Sequence, residues 1–258
     1  MSDYAKKFGE NNGRKVNILG VPVDRLTLQQ AVGQIRRAWN EGRFLHVVTA
    51  NAEMLYRCRQ DRELKEIIKA AELVTADGAG VVLASRILKC AVPERVAGFD
   101  LMLACLKEAA RTGCPLYFLG SRQSVLEQAA VKARKNYPGL NIVGCHHGFF
   151  QESEEEAILE EICSLRPALL LVALGVPKQE KWIARYRKRL PPSAVIGVGG
   201  SFDVLAGAAR RAPLWMQRAG LEWLYRLWKE PSRLGRTAAL PLFLCAVFRQ
   251  AVQGTGEQ

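Results

Sequence analysis

An α/β fold with a largely parallel sheet is the class this sequence predicts, on three observations. Short apolar runs alternate with amphipathic ones along most of the 258 residues. Several of those runs are near-continuous Val, Ile and Leu, as in strands buried on both faces. Between them lie helical patterns with recognisable starts and stops, the alternation of a sheet covered by crossover helices.

The elements follow in order. Val16–Leu19 reads as a first strand, and Thr27 and Gln30 stand in capping-box spacing before a helix. Leu45–Thr49 and Leu73–Thr75 read as the next strands. Asp100 is a candidate N-cap for a helix through Thr112, with Gly113 just beyond its end. Leu116–Leu119 is a strand, Ser124 and Glu127 stand in capping-box spacing, and Pro138 and Gly139 stop the helix between them. Asn141–Gly144 is followed by another capping-box pair, Ser153 and Glu156, and then by strands Leu169–Ala173 and Ala194–Val198. No repeat or low-complexity segment interrupts this Rossmann-like pattern. Its composition shifts only near Gly207–Arg211, which divides an α/β core, residues 1–206, from a C-terminal helical appendage, residues 207–258.

The formal net charge of +12 implies an anionic partner. Lys and Arg form no uninterrupted tail, and zinc-finger spacing and RNP motifs are absent, so nucleic acid is not the expected partner. Arg210, Arg211, Arg218, Arg226, Lys229, Arg233 and Arg236 are interleaved with Trp215, Trp223, Tyr225 and Trp228. Arginine grips phosphate and these aromatics favour a membrane–water boundary, so the pattern suggests a phosphate-bearing substrate at an anionic lipid surface. A solvated basic face is the plain alternative. The run 237–248 (TAALPLFLCAVF) is too short to span a bilayer, which takes roughly 20 residues. It reads either as a core helix or as a segment lying in the interface between flanking arginines. Seven cysteines with no CxxC pair read as reduced, mostly buried thiols of a cytosolic protein. The polar N-terminus carries no signal-peptide pattern.

Four motifs fall where strands end: Thr49 to Asn51, Thr75 to Gly80 (TADGAG), Gly175 to Glu180 (GVPKQE) and Gly197 to Asp203 (GVGGSFD). They are expected to converge on one rim of the sheet, where such folds bind ligands. Asp77 stands there either as a general base or as a helix N-cap. Gly78 and Gly80 invite a dinucleotide reading, but Leu83 replaces the third glycine and the aspartate would repel a pyrophosphate, so no NAD cofactor is expected. Arg95 is a phosphate contact or a surface arginine. His46 reads as structural, and the adjacent His146 and His147 as pointing to opposite faces of a strand. With no Asp-x-Asp pair to clamp a divalent cation, no metal site is expected, and positive side chains would stabilise a leaving diphosphate instead.

At these residues the chain resembles the WecG/TagA/CpsF glycosyltransferase family, from about Val16 to Arg236. The motifs that carry the resemblance are Thr49 and Asn51, Asp77 to Gly80, Arg95 to Leu101 (RVAGFDL), Gly148 to Phe150, Gly175 to Glu180, Val198 to Asp203, Arg211 to Pro213, and Gly220 to Arg226 (GLEWLYR). The resemblance implies inverting, metal-free transfer of a sugar, often N-acetylmannosamine, from a UDP-sugar donor to undecaprenyl-diphosphate-linked N-acetylglucosamine in cell-surface polymer synthesis such as that of teichoic acid. It implies a base at Asp77 and substrate-pocket residues at Thr49, Asn51, Arg95 and Gln179. It also implies tail arginines at Arg226, Arg233 and Arg236 that close over the site and grip diphosphate. Gly78, Gly80, Gly199, Gly200, Asp203 and Arg211 complete the expected substrate and diphosphate contacts. Phe149 carries no hydroxyl where many relatives have tyrosine. The expected location is cytoplasmic, peripheral on the cytoplasmic face of the cell membrane, and the protein is compatible with a homo-oligomer. The rival classes are a nucleotide- or NAD-binding α/β oxidoreductase and a non-catalytic membrane-peripheral binding protein.

Overall fold

The computed structural model describes residues 15–229 and 239–254. Its centre is a six-stranded, wholly parallel sheet of β3 (Leu45–Ala50), β4 (Leu73–Ala76), β5 (Pro115–Gly120), β6 (Asn141–His146), β7 (Leu169–Ala173) and β8 (Ala194–Gly197), in the order β4-β3-β8-β7-β5-β6. The strand run at Val16–Leu19 proves to be half of a separate antiparallel hairpin, β1 (Lys15–Ile18) with β2 (Val21–Asp24). The hairpin lies against the outer strand β4, where Asp24 Oδ2 accepts the Val74 N–H at 2.8 Å.

Helices cover both faces. They are α1 (Leu28–Asn40), α2 (Ala52–Arg57), α3 (Arg62–Ala70), α4 (Ala79–Ile87), α5 (Gly98–Thr112), α6 (Gln123–Asn136), α7 (Glu155–Leu165), α8 (Lys178–Tyr186), α9 (Ser201–Leu205), α10 (Leu214–Arg218), α11 (Glu222–Lys229) and α12 (Ala239–Gly254). Alternation along each strand sorts the core. Leu169, Leu171 and Phe118 face α1, α5 and α6, whereas Leu170, Val172 and Tyr117 face α7 and α8. Val48, Ala50 and Val74 face a third apolar cluster built from the hairpin, α2, α3, α4 and α12.

The Thr27 capping box forms, with the Gln30 side chain accepting the Thr27 N–H at 2.8 Å and Thr27 Oγ1 accepting the Gln30 N–H at 3.2 Å. Gly113 closes α5 at φ +67°, a left-handed conformation that suits glycine. Three other expected starts move. Asp100 sits inside α5, whose cap is Ala97. Arg122, not Ser124, precedes α6. The capping box before α7 is made by Gln151 and Glu154 around a 3₁₀ turn (Glu152–Glu154) rather than by Ser153 and Glu156.

The segment 237–248 falls mostly in α12, which packs on α2 and α4. Phe243 and Val247 are fully buried there, while Leu242, Cys245, Phe248 and Val252 are exposed. Thus its inner face belongs to the core, and its outer face is exposed. No helix among the described residues is long and apolar enough to cross a membrane. All seven cysteines are unpaired, with Cys58, Cys105 and Cys114 buried.

Candidate active site

The strand order reverses about β3: β4 lies to one side, while β8, β7, β5 and β6 lie to the other. At the carboxyl ends of these strands opens a cleft of about 810 Å³, where ligands of such sheets bind. Each of the four strand-end motifs contributes to its wall. Thr49 and Asn51 come from the end of β3, Asp77 from the end of β4, Gly175 and Gln179 from beyond β7, and Gly199, Gly200 and Asp203 from beyond β8. The tail adds Arg210, Arg211, Glu222, Tyr225 and Lys229, and the turn after β5 adds Arg122.

Most of these side chains are held before any ligand arrives. Thr49 Oγ1 donates to the Gly197 carbonyl at 3.2 Å, tying β3 to β8 at the floor. Asn51 Oδ1 caps α2 by accepting the Met54 N–H at 2.9 Å. Gln179 is buried, and its Oε1 accepts the Gly199 N–H at 3.1 Å, which fixes the glycine turn after β8. A Cβ on Gly197 would lie 2.5 Å from Gln179 Nε2, so only glycine lets that amide reach the turn. Asp203 Oδ2 accepts from Ser121 Oγ at 3.5 Å, linking the β8 and β5 ends.

Asp77 is not the cap of the helix that follows it. Gly78, at φ +87°, takes that place, with no side-chain cap bond. The Asp77 carboxylate instead reaches across the cleft floor, and its Oδ2 accepts the N–H of Gly98, the first residue of α5, at 3.2 Å. The amino end of a helix favours a nearby negative charge. The α5 backbone comes this close because residue 98 is glycine: a Cβ there would lie 3.0 Å from Thr49 Oγ1. Gly78 and Gly80, expected as substrate contacts, do not line the cleft. Gly80 serves packing, since a Cβ there would lie 2.8 Å from Leu240 on α12.

The tail is tied to the cleft mouth by a charge network. Arg95 Nη1 meets Glu222 Oε2 at 3.1 Å and Arg95 Nη2 meets Asp100 Oδ2 at 3.9 Å. Arg211 Nη2 donates to Asp100 Oδ2 at 3.2 Å, and Arg211 Nε lies 3.7 Å from Glu222 Oε1. Burial works against the Arg211 charge, but Asp100 and Glu222 outweigh it and hold its pKa above the ordinary arginine value. Arg211 therefore lines the cleft, whereas Arg95 stands behind it, paired to the tail. Arg226 lies on α11, its side chain outside the described residues, as are Arg233 and Arg236 entirely.

His46 is structural: it is buried, desolvation lowers its pKa to about 4, and its Nε2 has no hydrogen-bond partner among the described residues. His146 and His147 do not point apart. β6 ends at His146, the chain turns, and the two rings lie 4.6 Å apart with His146 Nδ1 2.8 Å from the His147 carbonyl. Among the described residues no three His, Cys, Asp or Glu side chains gather as a metal site. Sequence reasoning missed Arg122, and it named Tyr225, Glu222 and the buried Glu180 only within motifs, without a role for each. The only available signal was position: Ser121 and Arg122 follow a strand run as the other motifs do.

A carboxylate, Asp77, and several cations converge on the carboxyl edge of this parallel α/β sheet. The chain belongs to the WecG/TagA/CpsF family of glycosyl transferases, whose family model matches residues 16–257. It is 36% identical over 236 residues to the N-acetylglucosaminyldiphosphoundecaprenol N-acetyl-beta-D-mannosaminyltransferase of Staphylococcus aureus strain MW2, covering 91% of this chain and 92% of that one. The enzymes of the same name from strains NCTC 8325 and COL match to the same extent.

Proposed function

We propose that this glycosyltransferase moves N-acetylmannosamine from a UDP-sugar to undecaprenyl-diphosphate-linked N-acetylglucosamine, with inversion, at the cytoplasmic face of the membrane in cell-surface polymer synthesis. The observation that carries the reading is Asp77, a carboxylate at the floor of a cleft whose mouth is basic. In this reading Asp77 takes the proton of the acceptor hydroxyl. The hydroxyl oxygen attacks the anomeric carbon from the face opposite the leaving group. The bond from that carbon to the β-phosphate oxygen breaks, and UDP departs with the electron pair. Arg122, Arg210, Arg211 and Lys229 line the cleft where they can stabilise the developing diphosphate charge. The relatives' name supports the sugar and the acceptor. The experiment is a panel of UDP-sugars offered with a short lipid-diphosphate N-acetylglucosamine acceptor, read by product mass. Transfer of no sugar from any donor would sink the proposal.

Transfer is expected without a divalent cation, because the cleft's cations supply the positive charge a metal otherwise would. Activity should survive EDTA undiminished, and strict dependence on added Mg²⁺ or Mn²⁺ contradicts this.

The membrane part of the proposal rests on exposed side chains. Leu214, Trp215, Trp223, Leu224 and Trp228 stand out from α10 and α11, and Leu242, Phe248 and Val252 from α12. Exposed apolar groups among cations suit an anionic leaflet, where each basic residue near the surface contributes about 1 kcal/mol. The pair Trp215→Ser and Trp228→Ser is expected to reduce co-sedimentation with anionic liposomes severalfold at low salt. Sedimentation equal to the parent protein places the contact elsewhere.

A further inference from the structure

The site contains a carboxyl group that the proposed chemistry does not use. Glu180 follows Gln179 on α8 and is almost wholly buried. Its Oε1 accepts from Gln179 Nε2 at 2.8 Å, and its Oε2 has no hydrogen-bond partner among the described residues. Gln179 in turn holds the Gly199 N–H, and Gly199 lines the cleft. The three residues form a line from a buried acid to the wall of the active site. Gly197 keeps it compact, because a Cβ there would lie 3.2 Å from Glu180 Oε1 as well as 2.5 Å from Gln179 Nε2.

We infer that Glu180 is a positioning residue that works in its protonated form, orienting the Gln179 amide and adding no further negative charge beside the cleft wall. No ion pair among the described residues engages Glu180. The cations of its own helix are committed elsewhere: Lys178 to the Gly148 carbonyl and the Phe150 ring, Lys181 to Asp61 and Glu63, and Arg185 to Glu152 and Glu155. The titratable group facing it from the end of α2 is Cys58. That thiol is pushed up to about 12, first by burial and then by Asp61 and Glu180, with Lys65 opposing. Hence no ion pair holds a charge on Glu180, and an ionised Oε2 would be buried without a donor, at high cost. Burial pushes the carboxyl up to about 7, against the bonds from the Gln179 side chain and from its own backbone N–H.

Ionisation has two effects on function. The new charge draws donors toward Oε2, away from the arrangement that fixes Gln179 and Gly199. It also stands one residue from a wall that, on the proposed function, must receive a diphosphate. Loss of the Glu180 proton should therefore switch transfer down as pH rises.

The test is kcat/KM from pH 5.5 to 9 for the full chain and for Glu180→Gln and Glu180→Ala, with UDP binding by calorimetry over the same range. The wild type should decline above about pH 7, approaching about tenfold per pH unit. Glu180→Gln, which cannot ionise but can still accept from Gln179, should lose that decline and keep more activity than Glu180→Ala. A merely structural glutamate would lower activity evenly across pH. The inference is overturned if Glu180→Gln keeps the wild-type alkaline limb, or if the wild type shows none up to pH 9. If the wild type transfers no sugar at any pH, the functional proposal fails. UDP binding then decides for Glu180 alone: affinity that weakens above about pH 7 in the wild type but not in Glu180→Gln supports it, and identical profiles overturn it.

Discussion

Asp77→Asn is expected to lower turnover by roughly 10²–10⁴-fold, the usual cost of losing a general base. Asparagine is close to isosteric and its Oδ1 can still accept the Gly98 N–H that holds the aspartate at 3.2 Å. The floor of the cleft therefore keeps its shape, and the cations that would grip a diphosphate remain in its lining. What disappears is basicity. UDP affinity measured by calorimetry should stay near that of the parent while the chemical step collapses. This separates the base from a binding carboxylate, whose loss changes affinity as well as rate. Turnover within about twofold of the parent would remove Asp77 from the chemistry and return it to a structural role at the start of α5.

The fold was legible because strands buried on both faces have little freedom in composition. LHVVTA, LLLVA and AVIG are recognisable wherever they fall, and each lies in the central sheet. The convergence of the strand-end motifs followed from the same fact, since parallel strands put all their carboxyl ends on one edge. The hairpin strand β2, VPVD, was not legible: it is short, contains a proline and is buried against an element it does not follow. Helix starts were read from Ser, Thr and Asp by spacing, and the chain used Ala97 and Arg122 at two of them, where tertiary packing outweighed a capping bond of about 1 kcal/mol. Glu180 was read only as the end of a strand-end motif, and its burial was not legible. A glutamate among lysines and arginines on an amphipathic helix looks like surface, and only the β8 backbone passing beside it makes it buried. Asp77 was half legible: its place at a strand end was plain, but only the return of α5 across it decides between a cap for its own helix and a carboxylate facing a cleft.

The last helix shows why composition alone left 237–248 undecided. Its LPLFLCAVF stretch is apolar around most of its circumference, so nothing in the order of residues tells the face turned to the core from the face turned away. Packing does. Phe243 and Val247, four residues apart, are fully buried in the cluster shared with Met54, Val81 and Ala84, while Leu242, Phe248 and Val252 are exposed. Phe243→Ala is accordingly expected to destabilise the protein by about 3–5 kcal/mol, through lost burial and the cavity left between α2, α4 and α12. Phe248→Ala should change stability by no more than about 0.5 kcal/mol. Urea unfolding of both variants gives the comparison directly. Cutting the chain at Gly207 cannot replace it, because that cut removes Phe243 and Val247 along with the tail and uncovers apolar core. On the membrane proposal the order reverses for liposomes: Phe248→Ala should weaken co-sedimentation while Phe243→Ala, below its unfolding transition, should not. A helix whose two faces answer to two assays is both a wall of the core and a surface turned to lipid. If Phe243→Ala unfolds at the parent's urea concentration, α12 is not part of the core. If Phe248→Ala sediments like the parent, the outer face of α12 plays no part in holding the enzyme at the membrane.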